Sequence, residues 1–495
     1  MTVALERRLA NFRSAHATVQ RSAPYPAAGR VAAGAERLAA ELDGELVRTT
    51  AGSFVRVERR GAVIEIDRER LARLPGQPPP HVPLVCLDTE TTGLATAAGT
   101  LAFLVGLGWW EGSRFRQVQL LLPDHADEPA FLAELRTHIP RESWLVTYNG
   151  RGFDWPLLVA RYRMAQADAP EHAGHLDLLP LVRRLFRHRM TDARLQTAET
   201  QLLGLRRHDD VAGWEIPARY LQFLRDGEPA SLLGVVRHND EDVRSLARLL
   251  AHVDDRLADP GARRLAPAGD LAGLARAYSA EHRFHEALEC LDSAMVAVRS
   301  ADAPPAPPAR PGGSEQATGV ARSRPEPHLV REESDAWWSP RNRPDFGGRF
   351  GRPGADAAWR ATSIERLDAS WTATRITTER ARVLRRLGRV EEAELAWLEI
   401  ADFGGILGAL AWVEIAKIRE HRRGDLEAAL AATLAAVRSV ERRRATGRVD
   451  QRLERDLGRR ASRLRRRIGR RQLARRAAPA LIVPSPLPEA IAAAG

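Results

Sequence analysis

Apolar and polar positions sort the first half of the chain into short strands and helices. Leu84-Val85-Cys86-Leu87 is a continuous apolar run, the pattern of a buried strand, and it leads into Asp88-Thr89-Glu90-Thr91-Thr92-Gly93. Residues 101–110 and 115–123 read as two more strands, and the three together as a meander. A helix is expected around Glu128–His138 and a fourth strand at 144–147, which makes this a mixed α/β domain. Upstream, residues 32–42 have helical spacing, 44–67 alternate like a hairpin, and the Pro-rich stretch 74–83 is a linker. Segment 1–82 is read as an accessory cover. A further helical segment is expected to open at His175-Leu176-Asp177. Residues 210–224 read as an ordered loop plus helix able to close over a neighbouring site, and one more helix opens at His238.

Chemistry enters at the end of the first strand. Asp88 and Glu90 are two apart, so on a strand both carboxylates face the same way. Such a pair repels itself unless it is solvated or a cation lies between the two acids. Oxygen ligands favour Mg²⁺ or Mn²⁺ over Zn²⁺. More acids follow at suitable places. Tyr148-Asn149-Gly150-Arg151-Gly152-Phe153-Asp154-Trp155 comes after the fourth strand, and His238-Asn239-Asp240-Glu241-Asp242 begins a helix. His238 and Asp242 are four apart and share one helix face, whereas Asp240 and Glu241 fall on other faces and are expected to be exposed.

Asp-x-Glu, then Asn-x-x-x-Phe-Asp, then His-x-x-x-Asp, in that order, resembles the three motifs of the DEDD group of 3′→5′ exonucleases. The flanks "TYNGRGFDWPLL", "HLDLLPLVRRLF", "GWEIPARYLQFL" and "VVRHNDEDVRSLARLL" resemble the YprB-type, ribonuclease-H-like family over roughly residues 83–255. The resemblance implies an α/β ribonuclease-H-like domain, a mixed central sheet flanked by helices, over 83–258. It also implies two bound ions, Mg²⁺ or Mn²⁺. Asp88, Glu90, Asp154 and Asp242 would be their ligands, with Asp88 bridging, and His238 would be the base or the group that positions water. Thr91, Gly93, Leu94, Asn149, Phe153 and Trp155 are candidate substrate contacts. Three residues separate His238 from Asp242, the spacing of the tyrosine subgroup, so His238 stands where a Tyr is expected.

Each of these residues also has a plainer reading. Asp154 and Asp177 suit helix N-termini, Asn149 suits a turn, and Phe153 and Trp155 suit a core. Trp214 is a candidate for stacking on a base. Arg183, Arg184, Arg187 and Arg189 are either a solvated face or a track for single-strand phosphates.

The second half changes character. Leu271, Leu274, Ala275, Tyr278, Ala287, Leu291 and Ala294 match apolar and small positions of a tetratricopeptide repeat, and similar matches run near 377–400 and 412–435. The step from Ala393 to Ala428 is 35 residues, close to that repeat, whereas the step from Ala287 to Ala393 is 106. An insertion rich in Pro, Gly, Arg and Ser, 300–358, accounts for the difference and is expected to be disordered. The expected all-α part is thus a TPR-like hairpin at 268–299, further hairpins at 360–440, and an Arg-rich helical tail with a frayed end at 441–495. The repeats are a candidate surface for a protein partner or a buttress, and the tail binds nucleic acid or is solvated.

Composition sharpens the picture only a little. Net charge is +11 with a pI near 10.6, which suits a polyanionic partner. Nearly all of the basic residues are Arg, and much of the excess lies far from the acids. Two cysteines, Cys86 and Cys290, exclude a disulfide framework or a Cys-based metal site. No apolar run reaches membrane length and residues 1–15 lack a signal-peptide core, so a cytoplasmic protein is expected. The expected function is hydrolysis of single-stranded DNA or RNA from the 3′ end. The alternative is a nucleic-acid-binding or adaptor protein that keeps the fold without useful catalysis.

Overall fold

The structure, a computed structural model, describes residues 28–93, 99–302, 369–445, 447 and 450–477. Leu94, nearly all of the 300–358 insertion and the last residues of the tail lie outside them. The described residues fall into two compact units, the first running to Asp302 and the second from Ala373. No described helix is long and apolar enough to cross a membrane.

The first unit is built on a seven-stranded sheet in the order β1-β2-β5-β4-β3-β6-β7. These strands are Glu45–Thr49, Gly52–Val63, Leu84–Thr91 (β3), Ala102–Glu111 (β4), Arg114–Leu121 (β5), Trp144–Thr147 and Gly174–Asp177. β3 pairs antiparallel with β4 and parallel with β6. Its residues Leu84 to Leu87 are all buried, the pattern of a strand covered on both faces. The β1–β2 hairpin, read in the sequence as an accessory cover, continues the same sheet, because β2 pairs antiparallel with β5. The helical segment expected to open at His175 begins instead as β7, four residues paired with β6. Its last residue, Asp177, caps the following helix by accepting the Leu179 N–H at 3.0 Å.

The longer helices of this unit are α1 (Ala28–Glu41), α2 (Glu128–Thr137), α3 (Asp154–Met164), α4 (Leu178–Phe186), α5 (Ile216–Asp226), α6 (Ala230–Val253), α7 (Ala268–Ala280) and α8 (Phe284–Asp302), with shorter ones such as Leu195–Ala198 between them. α6 decides the layout. Leu232, Val235, Val236, Val243, Leu246, Leu250 and Val253 recur at helical spacing and are buried, and the helix packs on β3, β4 and β5. Gly106 of β4 lets α6 come close: a Cβ there would stand 2.2 Å from Asn239 Oδ1 and 2.7 Å from Val243. His238 therefore sits two turns inside α6 and does not open it; the apolar stripe carries the helix upstream to Ala230. α7 and α8 pair with each other, and α7 packs on α4. Arg189, a candidate for phosphate contact, instead holds the buried Asp270 of α7 through bonds of 3.1 and 2.9 Å.

The second unit is helix-rich: α9 (Ala369–Arg386, which belongs to it from Ala373 on), α10 (Val390–Asp402), α11 (Gly405–His421), α12 (Leu426–Ala445) and α13 (Gln451–Ala477). Trp397, Ile400, Ile415, Ala416, Ala432 and Ala436 are buried in it. α13 is the Arg-rich tail helix, and it packs on α12. Three of its arginines converge on Glu420 of α11, whose side chain is fully buried: Arg460 at 3.0 Å, Arg463 at 2.6 Å and Arg467 at 2.5 Å.

Candidate active site

The site lies where β3, α3 and α6 meet. The β3 alternation aims Asp88 and Glu90 to one side, with Asp88 opposite Gly106 and Glu90 opposite Leu104 on β4. Asp88 Oδ2 accepts a hydrogen bond from Asn239 Nδ2 at 2.9 Å, and the Asn239 Oδ1 accepts from Gln119 Nε2 at 2.9 Å. Asn239 is fully buried, so this chain of amides fixes Asp88 from behind.

Asp154 is the first residue of α3 and is buried. It accepts a short hydrogen bond from the Thr89 hydroxyl. The loop before it is held by Asp177, whose carboxylate accepts the backbone N–H of Asn149 at 2.8 Å and of Arg151 at 3.3 Å. Asn149 is exposed and has φ +70°, the left-handed conformation that Asn tolerates. Thr91 donates to the Gly93 carbonyl at 2.6 Å, closing the turn after β3. Trp155 is half-buried against the core, edge-on to His172 at 4.7 Å between ring centres, and Phe153 is half-buried. Trp214 is 69% exposed.

α6 supplies His238 and Asp242 one turn apart. His238 is 9% exposed. Its Nδ1 lies 2.7 Å from Asp210 Oδ1. Its Nε2 lies 3.6 Å from Asp242 Oδ2 and 3.9 Å from Glu90 Oε1. Asp242 Oδ1 accepts a short hydrogen bond from Arg207, whose guanidinium also pairs with the buried Glu199 and reaches Asp210 at 3.4 Å. Asp240, expected to be exposed, is buried: it accepts from Arg244 at 2.7 Å and from Gln117 of β5 at 3.1 Å.

Burial and mutual repulsion govern the charges. Asp88 and Glu90 are held well above the ordinary carboxylate range, first by burial and then by the other acids, Asp242 and Asp154 among them. Burial pushes Asp154 up to about 6, against the Thr89 hydrogen bond. Asp242 is also raised by burial, although His238 and Arg207 pull the other way. At Asp210 burial is outweighed by His238 and Arg207, which hold it below its usual value. Asp88, Glu90, Asp154 and Asp242 thus cannot all ionise comfortably without a cation. Glu90, His238 and Asp242 each present one donor atom, and these three atoms lie within 4.8 Å of one another. This donor set of carboxylate oxygens and one imidazole fits a divalent ion.

Two of these partners, Arg207 and Asp210, come from the irregular loop between the helical segment ending at Leu203 and α5. The loop plus helix read from the sequence as able to close over the site spans 210–224, which includes Asp210 but not Arg207, and neither residue has a role in that reading. The cue was a cluster of charges, Arg206-Arg207-His208-Asp209-Asp210, with no periodicity to place them.

Residues 85–254 match the family model described as RNase_H superfamily. They form an RNase-H-like domain. Over 176 residues the chain is 39% identical to the uncharacterized protein YprB of Bacillus subtilis (strain 168), a match that spans 35% of this chain and 42% of YprB. The chain therefore covers less than half the length of this relative. The acid pair of β3 and the whole of α6, with His238 and Asp242, fall inside the RNase-H-like match.

Proposed function

We propose that the chain is a metal-dependent nuclease, a 3′→5′ exonuclease acting on single-stranded DNA or RNA in the cytoplasm. The superfamily match supports a nuclease-type hydrolase in general terms. The observation that carries the finer reading is that Asp88, Glu90, Asp154 and Asp242 are all buried or nearly so at the meeting of β3, α3 and α6, where Asp154 and Asp242 add to the burial that raises Asp88 and Glu90. A protein built only to bind a polyanion gains nothing from collecting four acids there. The order of the three motifs supports the direction of cleavage.

The four carboxylates are the residues that would hold two Mg²⁺ or Mn²⁺ ions. When bound, the ions supply an activated water and positive charge against the phosphate. The chain's own groups keep the acids in place: Asn239 holds Asp88, Thr89 holds Asp154, and Arg207 holds Asp242. Thr91, Gly93, Asn149, Phe153 and Trp155 border the acids in sequence and are proposed substrate contacts, as is Leu94, which lies outside the described residues. The paired helices α7–α8, the helices α9 and α10 that carry 377–400, and the pair α11–α12 that carries 412–435 are proposed TPR-like elements, and this helical region is a proposed surface for a protein partner.

The test is cleavage of 5′-labelled single-stranded DNA and RNA with Mn²⁺ or Mg²⁺, beside Asp88→Asn. A ladder shortening from the 3′ end, absent in the variant and with EDTA, is expected on one of the two polymers. No cleavage of either, with equal binding by both proteins, overturns the catalytic reading.

A further inference from the structure

We propose that His238 is itself a metal ligand, sharing a divalent ion with Glu90 and Asp242, and that Asp210 is the positioning residue that keeps it in that role. The inference rests on the nuclease reading of this site and names the ion class it takes. The argument is one of tied and free atoms. Asp210 occupies His238 Nδ1 at 2.7 Å. Arg207 Nη1 also approaches that nitrogen, but at 3.5 Å it is the weaker contact. A carboxylate on Nδ1 fixes the N–H there and leaves Nε2 with its lone pair outward, the usual arrangement behind a metal-binding histidine. Nε2 makes no hydrogen bond among the described residues, although His238 is only 9% exposed.

The facing groups are arranged in the same way. Arg207 takes Asp242 Oδ1, and Oδ2 is the oxygen turned to His238 at 3.6 Å. Glu90 Oε1 completes the set at 3.9 Å. Adjacent donors round an ion with bonds of about 2.1 Å stand roughly 3.0–3.4 Å apart. Shifts of a few tenths of an ångström would therefore bring the imidazole and each acid to the spacing of adjacent ligands, with all three donor atoms already within 4.8 Å of one another. A nitrogen that holds a cation is not free to take a proton from water. This assignment thus replaces the role of base that the motif resemblance gives to His238. The His-x-x-x-Asp spacing acquires a reason as well: one helical turn brings imidazole and carboxylate to the same ion. An imidazole in the set favours ions that accept nitrogen, such as Mn²⁺, Co²⁺ or Zn²⁺, relative to Mg²⁺.

The experiment uses the full chain, stripped of metal, with Mn²⁺ and Mg²⁺ titrated by calorimetry and bound Mn²⁺ read by pulsed EPR. Mn²⁺ on the parent protein is expected to show coupling to one imidazole ¹⁴N, and this coupling changes to ¹⁵N when the histidines are ¹⁵N-labelled, with no mutation needed. His238→Gln should remove the coupling and weaken Mn²⁺ by at least about 10-fold while changing Mg²⁺ far less. Asp210→Asn should keep the coupling and weaken Mn²⁺ by about 10-fold, and Asp210→Glu should recover part of that loss. Bound Mn²⁺ without nitrogen coupling, with His238→Gln binding as the parent does, overturns the ligand role and leaves the nuclease reading standing. Failure of the parent to bind either ion sinks both.

Discussion

Asn239 donates to Asp88 Oδ2 at 2.9 Å from within α6, the helix that also carries His238 and Asp242. The acid of the first motif is thus held by the residue next to the histidine of the third. Gly106 makes this possible, since a Cβ there would fall 2.2 Å from Asn239 Oδ1. Gly106→Ala and Asn239→Ala are each expected to lower stability by about 1–3 kcal/mol. Both should also reduce cleavage more than binding of single strands. Thermal melts and paired kinetic and binding assays would check this, and a melt unchanged in Gly106→Ala would count against the close approach.

Asp88→Asn separates stability from activity. The substitution removes one charge from a crowded set while keeping an acceptor for Asn239, so the metal-free protein should gain about 1 kcal/mol. Cleavage should fall by about 100-fold or more, because the lost charge is one that the reaction needs. Urea denaturation in EDTA gives the first quantity and single-turnover cleavage the second.

Asp154 predicts a pH dependence. Burial pushes its folded value up to about 6 from an ordinary 3.8. Between those values the folded protein binds the proton more tightly than the unfolded chain does. Stability contributed by this group is therefore full below about 3.8, falls as pH rises through about 6, and stays low above it. A shift of about two units corresponds to roughly 3 kcal/mol at most. Asp154→Asn cannot titrate, so in EDTA it should gain on the parent as pH goes from 4 to 7. Saturating Mn²⁺ at pH 7 should narrow or reverse the difference. Denaturation series at several pH values would show it, and a parent that gains on the variant over this range would contradict it.

The legible parts of the molecule were those with a regular period. The apolar run 84–87, the three strands of the meander and the helix after Glu128 stand where alternation and helical spacing put them. The start of α6 was missed because His-Asn-Asp-Glu-Asp looks like a capping sequence, whereas Leu232, Val235 and Val236 continue the buried stripe upstream. Asp240 was expected in water because its neighbours on α6 do not show that Gln117 and Arg244 enclose it. β7 was hidden by its brevity, being four residues that exist as a strand only through pairing with β6. Arg207 and Asp210 were illegible for a similar reason: an irregular loop has no period, and its partners lie 28 to 35 residues away in sequence.

In the second unit, Glu420 is the point to test. Its carboxylate is fully buried and takes Arg460, Arg463 and Arg467 from α13. Glu420→Gln leaves three guanidinium groups facing each other without a counter-charge. A loss of about 3–5 kcal/mol from this unit is expected, with release of α13 before the rest unfolds. Limited proteolysis would find cuts after arginines 460–467 in the variant that the parent resists. Equal digestion patterns would show that the tail helix is held by its apolar contacts alone.

Because β2 pairs along the length of β5, the hairpin of residues 45–63 is the selvedge of the sheet. A shortened chain beginning near Leu84 would keep every motif acid and still leave β5 as a bare border of unpaired N–H and C=O groups, an invitation to strand-to-strand association. An expression trial that trims the chain to its motif-bearing segment would then recover clumped material, and the clumping would say nothing about whether the acids work.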